Sequence, residues 1–223
     1  MKINLSKFAG FCPGVRKADE TVRRILAKQT SDARVFTLGH LIHNRIYNEE
    51  LAALGVSSIS FDEVENRYSQ NPDAPMTLVI RTHGITKEQF SFLTEFERMH
   101  KNFSLVDATC PFVKKIHKIA TENTSDNTCF LLFADPTHPE VIGTMSYANG
   151  DKLAFSSLRE LESYDLRNKL PILCSQTTQN LVEFKKIKKF LKNLCTNAKI
   201  FDTICSVTEN RQYEATKIAK ESD

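Results

Sequence analysis

No apolar run in this 223-residue chain approaches the ~20 residues that a membrane span needs. Its opening, Met1-Lys2-Ile3-Asn4-Leu5-Ser6-Lys7, is interrupted by polar residues and has no apolar core of a signal peptide. The net charge is only +3, and no concentrated basic patch marks a nucleic-acid surface. The run Lys185-Lys186-Ile187-Lys188-Lys189 is the solvated face of a helix whose other face carries Phe184, Ile187, Leu191 and Leu194. The six cysteines lack the short spacings of secreted disulfide modules, and equally those of zinc fingers or ferredoxin-type runs. These absences predict a cytoplasmic protein with reduced thiols, no nucleic-acid partner and no membrane contact.

What the chain does have is a repeat. Cys12 lies in Gly10-Phe11-Cys12-Pro13-Gly14-Val15, Cys110 in Ala108-Thr109-Cys110-Pro111-Phe112-Val113, and Cys205 in Thr203-Ile204-Cys205-Ser206-Val207-Thr208. The intervals are 98 residues (110 − 12) and 95 residues (205 − 110), and an amphipathic helical stretch follows each thiol. Helix N-termini favour thiolates, and soft thiolates select iron–sulfur clusters, zinc or copper(I). Three such sulfurs on a pseudo-threefold axis suit one metal centre with an open position. Spacing alone leaves the metal undecided. Cys129, Cys174 and Cys195 lie in or beside apolar segments and read as structural.

Within the repeat, apolar patterning predicts helices over 13–29 and from Thr86 to Met99, and one ending at Gly55. Val35–Leu38, Thr77–Arg81, Cys129–Ala134 and Leu170–Cys174 read as buried strands, and Asn210–Lys220 as a last helix. Strands alternating with helices imply repeated α/β domains with parallel sheets, arranged trefoil-like about the pseudo-threefold axis. The expected boundaries are a leading segment 1–12, domains at 13–109 and 110–204, and the start of an incomplete third at 205–223.

In parallel sheets ligands collect beyond the carboxyl ends of the strands. His43, His83, His138, Glu140 and Thr177 all fall there. The histidines suit a diphosphate guest or, more plainly, turns and caps. Glu140 is either a first-turn acid or a proton donor, and Thr177 either a cap or a hydroxyl relay.

Taken together, these motifs resemble the 4-hydroxy-3-methylbut-2-enyl diphosphate reductase family. The resemblance rests on the three cysteine settings, Leu38-Gly39 through Ile42-His43-Asn44, and Thr82-His83-Gly84. It also rests on His138-Pro139-Glu140-Val141, on Gln176-Thr177-Thr178, and on Arg211-Gln212 after Cys205. It implies a 4Fe–4S cluster ligated by Cys12, Cys110 and Cys205, with one iron free of cysteine. It implies Glu140 as proton donor with Thr177 beside it, and His138 near the allylic hydroxyl and diphosphate. It further implies His43 and His83 as diphosphate ligands, a small allylic diphosphate as substrate, and a ferredoxin or flavodoxin type of electron donor. The incomplete third domain leads us to expect weak activity or none from the 223 residues alone. The alternatives are a zinc-dependent phosphohydrolase, separable by metal and sulfide content, and an inactive truncated fragment.

Overall fold

The computed structural model describes residues 5–166 and 169–221, so the first four residues of the leading segment lie outside the described residues. The chain divides into two units, Pro13–Pro111 and the segment Met1–Cys12 with Phe112–Asp223. Each unit is built on its own four-stranded sheet.

The first unit runs α1 (Pro13–Leu26), β1 (Arg34–Leu38), α2 (Arg45–Ala53), β2 (Val56–Ile59), a 3₁₀ turn (Phe61–Glu63), α3 (Val64–Ser69), β3 (Met76–Ile80), α4 (Lys87–Met99) and β4 (Phe103–Asp107). Local chemistry sets the helix ends. Pro13 occupies a first turn, where its missing N–H costs nothing. The Asn44 side chain caps α2 by accepting from the Tyr47 amide, and Gly55 at φ 87° turns the chain out of that helix. Thr86 and Gln89 form a reciprocal capping box on α4. The strands lie parallel in the order β2-β1-β3-β4.

The second unit runs α5 (Pro111–Asn123), β5 (Thr128–Phe133), α6 (Pro139–Ser146), β6 (Asp151–Phe155), α7 (Leu158–Glu162), β7 (Leu170–Ser175), α8 (Leu181–Leu194), β8 (Lys199–Ile200) and α9 (Ser206–Lys220). Its strands are again parallel, in the order β6-β5-β7-β8. Both sheets therefore share one winding: the second strand goes to one side of the first, the third and fourth to the other.

The apolar runs in the sequence follow from burial on both faces of each sheet. In β5, Cys129, Leu131 and Phe133 pack with Leu161 of α7 and with Phe184 and Leu191 of α8. The intervening Phe130 and Leu132 pack with Ile116 of α5 and Val141 of α6. In the first unit, Leu38, Leu78 and Ile80 meet Leu93 and Phe96 of α4, whereas Val35 and Val79 meet Ala18, Val22 and Leu51 of α1 and α2. A fully buried Phe or Leu side chain contributes about 1.5–3 kcal/mol relative to exposure. The helix α9 is the exception, with no buried residue along its 15 positions.

Sequence patterning locates the central strands and the long helices. It passes over the edge strands β2, β4, β6 and β8, and the short helices α3 and α7. The last helix starts at Ser206, four residues earlier than apolar spacing indicates, because its first turn is polar.

Candidate active site

In each sheet the strand order reverses between the first and third strands, which opens a crevice at their carboxyl ends. The two crevices are framed by 39–44 and 81–84 in the first unit, and by 134–140 and 176–179 in the second.

In the first unit, backbone bonds shape the crevice. The Gly39 amide donates to the Ile59 carbonyl at 2.8 Å, and both the amide and the hydroxyl of Thr82 donate to the Leu41 carbonyl, at 3.2 and 2.9 Å. Thr82 is buried, so the two loops are pinned together beneath the surface. Above that pin the imidazoles of His43 and His83 lie 4.4 Å apart, tilted by 31°. Arg81 crosses Gly39 so closely that a Cβ at that glycine (φ +68°) would lie 2.7 Å from its guanidinium. Burial pushes Arg81 below the ordinary guanidinium value. A cavity of about 640 Å³ opens beside His43, with His40, Asn44 and Asn48 among its polar walls. Two adjacent imidazoles with a cation close by in sequence make this an anion-favouring corner.

In the second unit the same position holds an acid. Glu140 is 3% exposed. Its two carboxylate oxygens accept from the amide and the hydroxyl of Thr177, each at 2.8 Å. Burial pushes its pKa above the ordinary 4.5, and the two hydrogen bonds from Thr177 pull the other way. His138 caps α6, its Nδ1 accepting from the Glu140 amide at 3.1 Å. That bond requires an unprotonated Nδ1 and leaves the ring proton on Nε2. In the Gln176-Thr177-Thr178 motif, the Gln176 side-chain oxygen accepts from the Asp135 amide and fixes the facing loop.

The cysteines occupy helix starts. Cys12 immediately precedes α1, Cys110 immediately precedes α5, and Cys205 is the N-cap residue of α9. All three are half-buried, and none of the six cysteines is in a disulfide. The Cys110 amide donates to the Thr82 carbonyl and the Cys205 amide to the Thr177 carbonyl, both at 2.9 Å. Each pair is separated along the chain by 95 residues from its counterpart (205 − 110, 177 − 82), as are His138 and His43 (138 − 43). The residue equivalent to Thr177 is therefore Thr82; an equal offset from the opening cysteines (177 − 110 = 67) would point to Val79, and three extra residues between Cys12 and β1 produce the difference. Counting back from the strands rather than forward from the cysteines would have found Thr82. Cys129 and Cys174 are fully buried in sheet cores, and burial pushes the Cys174 thiol up to about 12.

This duplicated scaffold, with a thiol before each repeat's helix and an acid paired to Thr177, matches the family model described as LytB protein over residues 3–223. The chain belongs to the LytB family. Among curated relatives of this LytB chain, a 4-hydroxy-3-methylbut-2-enyl diphosphate reductase of Campylobacter hominis is 39% identical over 227 residues. One of Nitratiruptor is 34% identical over 231 residues. All of this chain is covered in both, and it spans 74% of each relative. A solved E-1-hydroxy-2-methyl-but-2-enyl-4-diphosphate reductase of Plasmodium falciparum superimposes with a TM-score of 0.78 at 27% identity, over 95% of this chain and 63% of that one. A solved (E)-4-hydroxy-3-methyl-but-2-enyl diphosphate reductase, titled the terminal enzyme of the non-mevalonate pathway, superimposes with a TM-score of 0.74 at 31% identity, over 99% of this chain and 74% of that one. Among the described residues no helix is long and apolar enough to cross a membrane.

Proposed function

We propose that this LytB chain carries the machinery for reductive dehydroxylation of 4-hydroxy-3-methylbut-2-enyl diphosphate. Two electrons and two protons convert the allylic alcohol to isopentenyl or dimethylallyl diphosphate and water. The observation that carries this reading is the buried Glu140 held on both oxygens by Thr177, one backbone bond away from Cys205.

Three half-buried thiols, each at the start of a helix, fit a 4Fe–4S cluster: the donors are soft, the helix ends favour thiolate, and three ligands leave one iron without cysteine. Cys12, Cys110 and Cys205 would hold it. When bound, such a cluster supplies single electrons and a Lewis-acidic iron for the leaving hydroxyl.

The chain's own groups supply the rest. Burial keeps a proton on Glu140 above the ordinary carboxylate range, so the acid can protonate the departing oxygen and make it leave as water. The Thr177 hydroxyl, hydrogen-bonded to the Glu140 carboxyl, can relay that proton or hold the substrate's oxygen in line. His138, with its proton on Nε2, offers a donor to the same oxygen or to the diphosphate. His43 and His83, their rings 4.4 Å apart, would receive the diphosphate through ring N–H donors. Binding the substrate through its diphosphate fixes the reacting carbon. The electrons come from a small one-electron carrier of the ferredoxin or flavodoxin type.

Purification without oxygen, followed by iron and acid-labile sulfide analysis, tests the reading. We expect a brown protein with about four of each per chain, as for a cubane cluster. Cys110→Ser should lower both. A colourless protein with zinc and no sulfide would instead favour the phosphohydrolase alternative.

A further inference from the structure

The segment that carries Cys12 has no secondary structure of its own between residues 5 and 12, and none of its described residues is buried. Its attachment in the second unit is to α9, more than 200 positions away along the chain. That helix buries no residue either. Among the described residues, then, no buried apolar side chain of either piece joins the two.

Two side chains of α9 do. The Glu214 carboxylate accepts from the Lys7 amide at 2.9 Å, from the Phe8 amide at 3.2 Å and from the Ser6 hydroxyl. Arg211 lies three residues earlier on the same helix. Its guanidinium donates to the Phe8 carbonyl at 3.1 Å and to the Gly10 carbonyl at 2.5 Å. Phe8 is thus gripped at both ends of its backbone, by an acid at its N–H and by a base at its carbonyl. The Ser6 hydroxyl adds a local bond by accepting from the Phe8 amide at 3.1 Å. Each contact made by Glu214 or Arg211 is charge-assisted on one side, which makes it stronger than a neutral hydrogen bond.

Cys205 is the N-cap residue of the helix that makes these contacts, and Cys12 lies two residues beyond Gly10, the last residue gripped. We propose that Arg211 and Glu214 are positioning residues that clamp the Cys12 segment to the Cys205 helix, so that these two thiols are presented as one preassembled pair. The clamp holds the backbone and touches no reacting atom. Its bearing on cluster retention rests on the ligand reading above; the clamp itself does not.

The test uses the metal-free 223-residue chain, with alkylation of each cysteine followed by peptide mass spectrometry. In Arg211→Met and in Glu214→Ala, Cys12 should be alkylated faster by about tenfold or more, the scale of losing one charge-assisted hydrogen bond. Cys205 should keep its original rate, and Arg211→Lys, which retains one donor group, should fall between. Amide exchange at Lys7 and Phe8 should accelerate in Glu214→Ala. Unchanged rates at Cys12 and at both amides would overturn the proposal. A parallel rise at Cys205 would also overturn it, since the two side chains would then only stabilise the unit as a whole. In reconstituted protein the same variants should release iron to a chelator faster. If the unmodified chain assembles no cluster, the ligand reading fails while the alkylation result still decides the clamp.

Discussion

The Thr177 carbonyl accepts the Cys205 amide at 2.9 Å, while the amide and hydroxyl of the same threonine hold Glu140. One residue therefore sets the position of a candidate ligand thiol and of the candidate proton donor. A shift of the 176–179 loop moves both together.

Replacing Thr177 by valine keeps the shape and the backbone bonds but removes the hydroxyl from a buried carboxyl group. The loss of a hydrogen bond to such a group should cost the second unit about 1–3 kcal/mol, measured by urea unfolding. Glu140 should also titrate higher than in the unmodified chain, because one of the two bonds favouring its charged form is gone. An unaltered carboxyl titration would show that the hydroxyl does not govern the acid.

The pH dependence has a definite sign. Folding raises the pKa of Glu140 above its ordinary 4.5, so the folded state holds the proton more tightly than the unfolded state does. That contribution to stability is fully present below the ordinary value and is lost as pH rises through the folded value. Glu140→Gln should remove this part of the pH profile. Superimposable profiles for parent and variant would contradict the assignment.

Thiol reactivity should divide five of the six cysteines. Burial raises Cys129, and Cys174 to about 12, in the sheet cores. At neutral pH these two should resist alkylation until the unit unfolds. Cys12, Cys110 and Cys205 are half-buried and should react in the folded, metal-free chain. Modification of Cys174 at the rate of Cys205 would rule this out.

Glycines at left-handed positions should differ by their surroundings. Gly55 (φ +87°) has open space where a Cβ would sit, whereas a Cβ at Gly150 (φ +67°) would lie 2.2 Å from the Ser125 carbonyl oxygen. Gly55→Ala should cost only the backbone strain, roughly 1–2 kcal/mol. Gly150→Ala should cost clearly more, because the atom it meets is backbone. Thermal unfolding of the two variants side by side gives the order.

The sequence was most readable where burial is two-sided. Cys129–Ala134 and, within Thr77–Arg81, Leu78–Ile80 are uninterrupted apolar runs because helices cover both faces of their strands. Edge strands gave no such signal: β2 exposes Ser57 and Ser58, and β8 has only two residues. Glu140 and Thr177 stood out by type and by their place after a strand, but their mutual hydrogen bonds depend on the neighbouring positions of β5 and β7, which spacing does not specify. The Arg211 and Glu214 contacts were invisible for a related reason. They join residues from the two ends of the sequence, and no local pattern records such a meeting.

The shared winding of the two sheets makes each half a natural control for the other. Arg45 and Glu140 stand 95 residues apart in the first turns of α2 and α6 (140 − 45), so the same helix start carries an exposed base paired with Glu49 in one copy and a buried acid in the other. A loop transplanted between the copies would land on a backbone of the same topology, and whatever property travelled with it would belong to its side chains rather than to the scaffold.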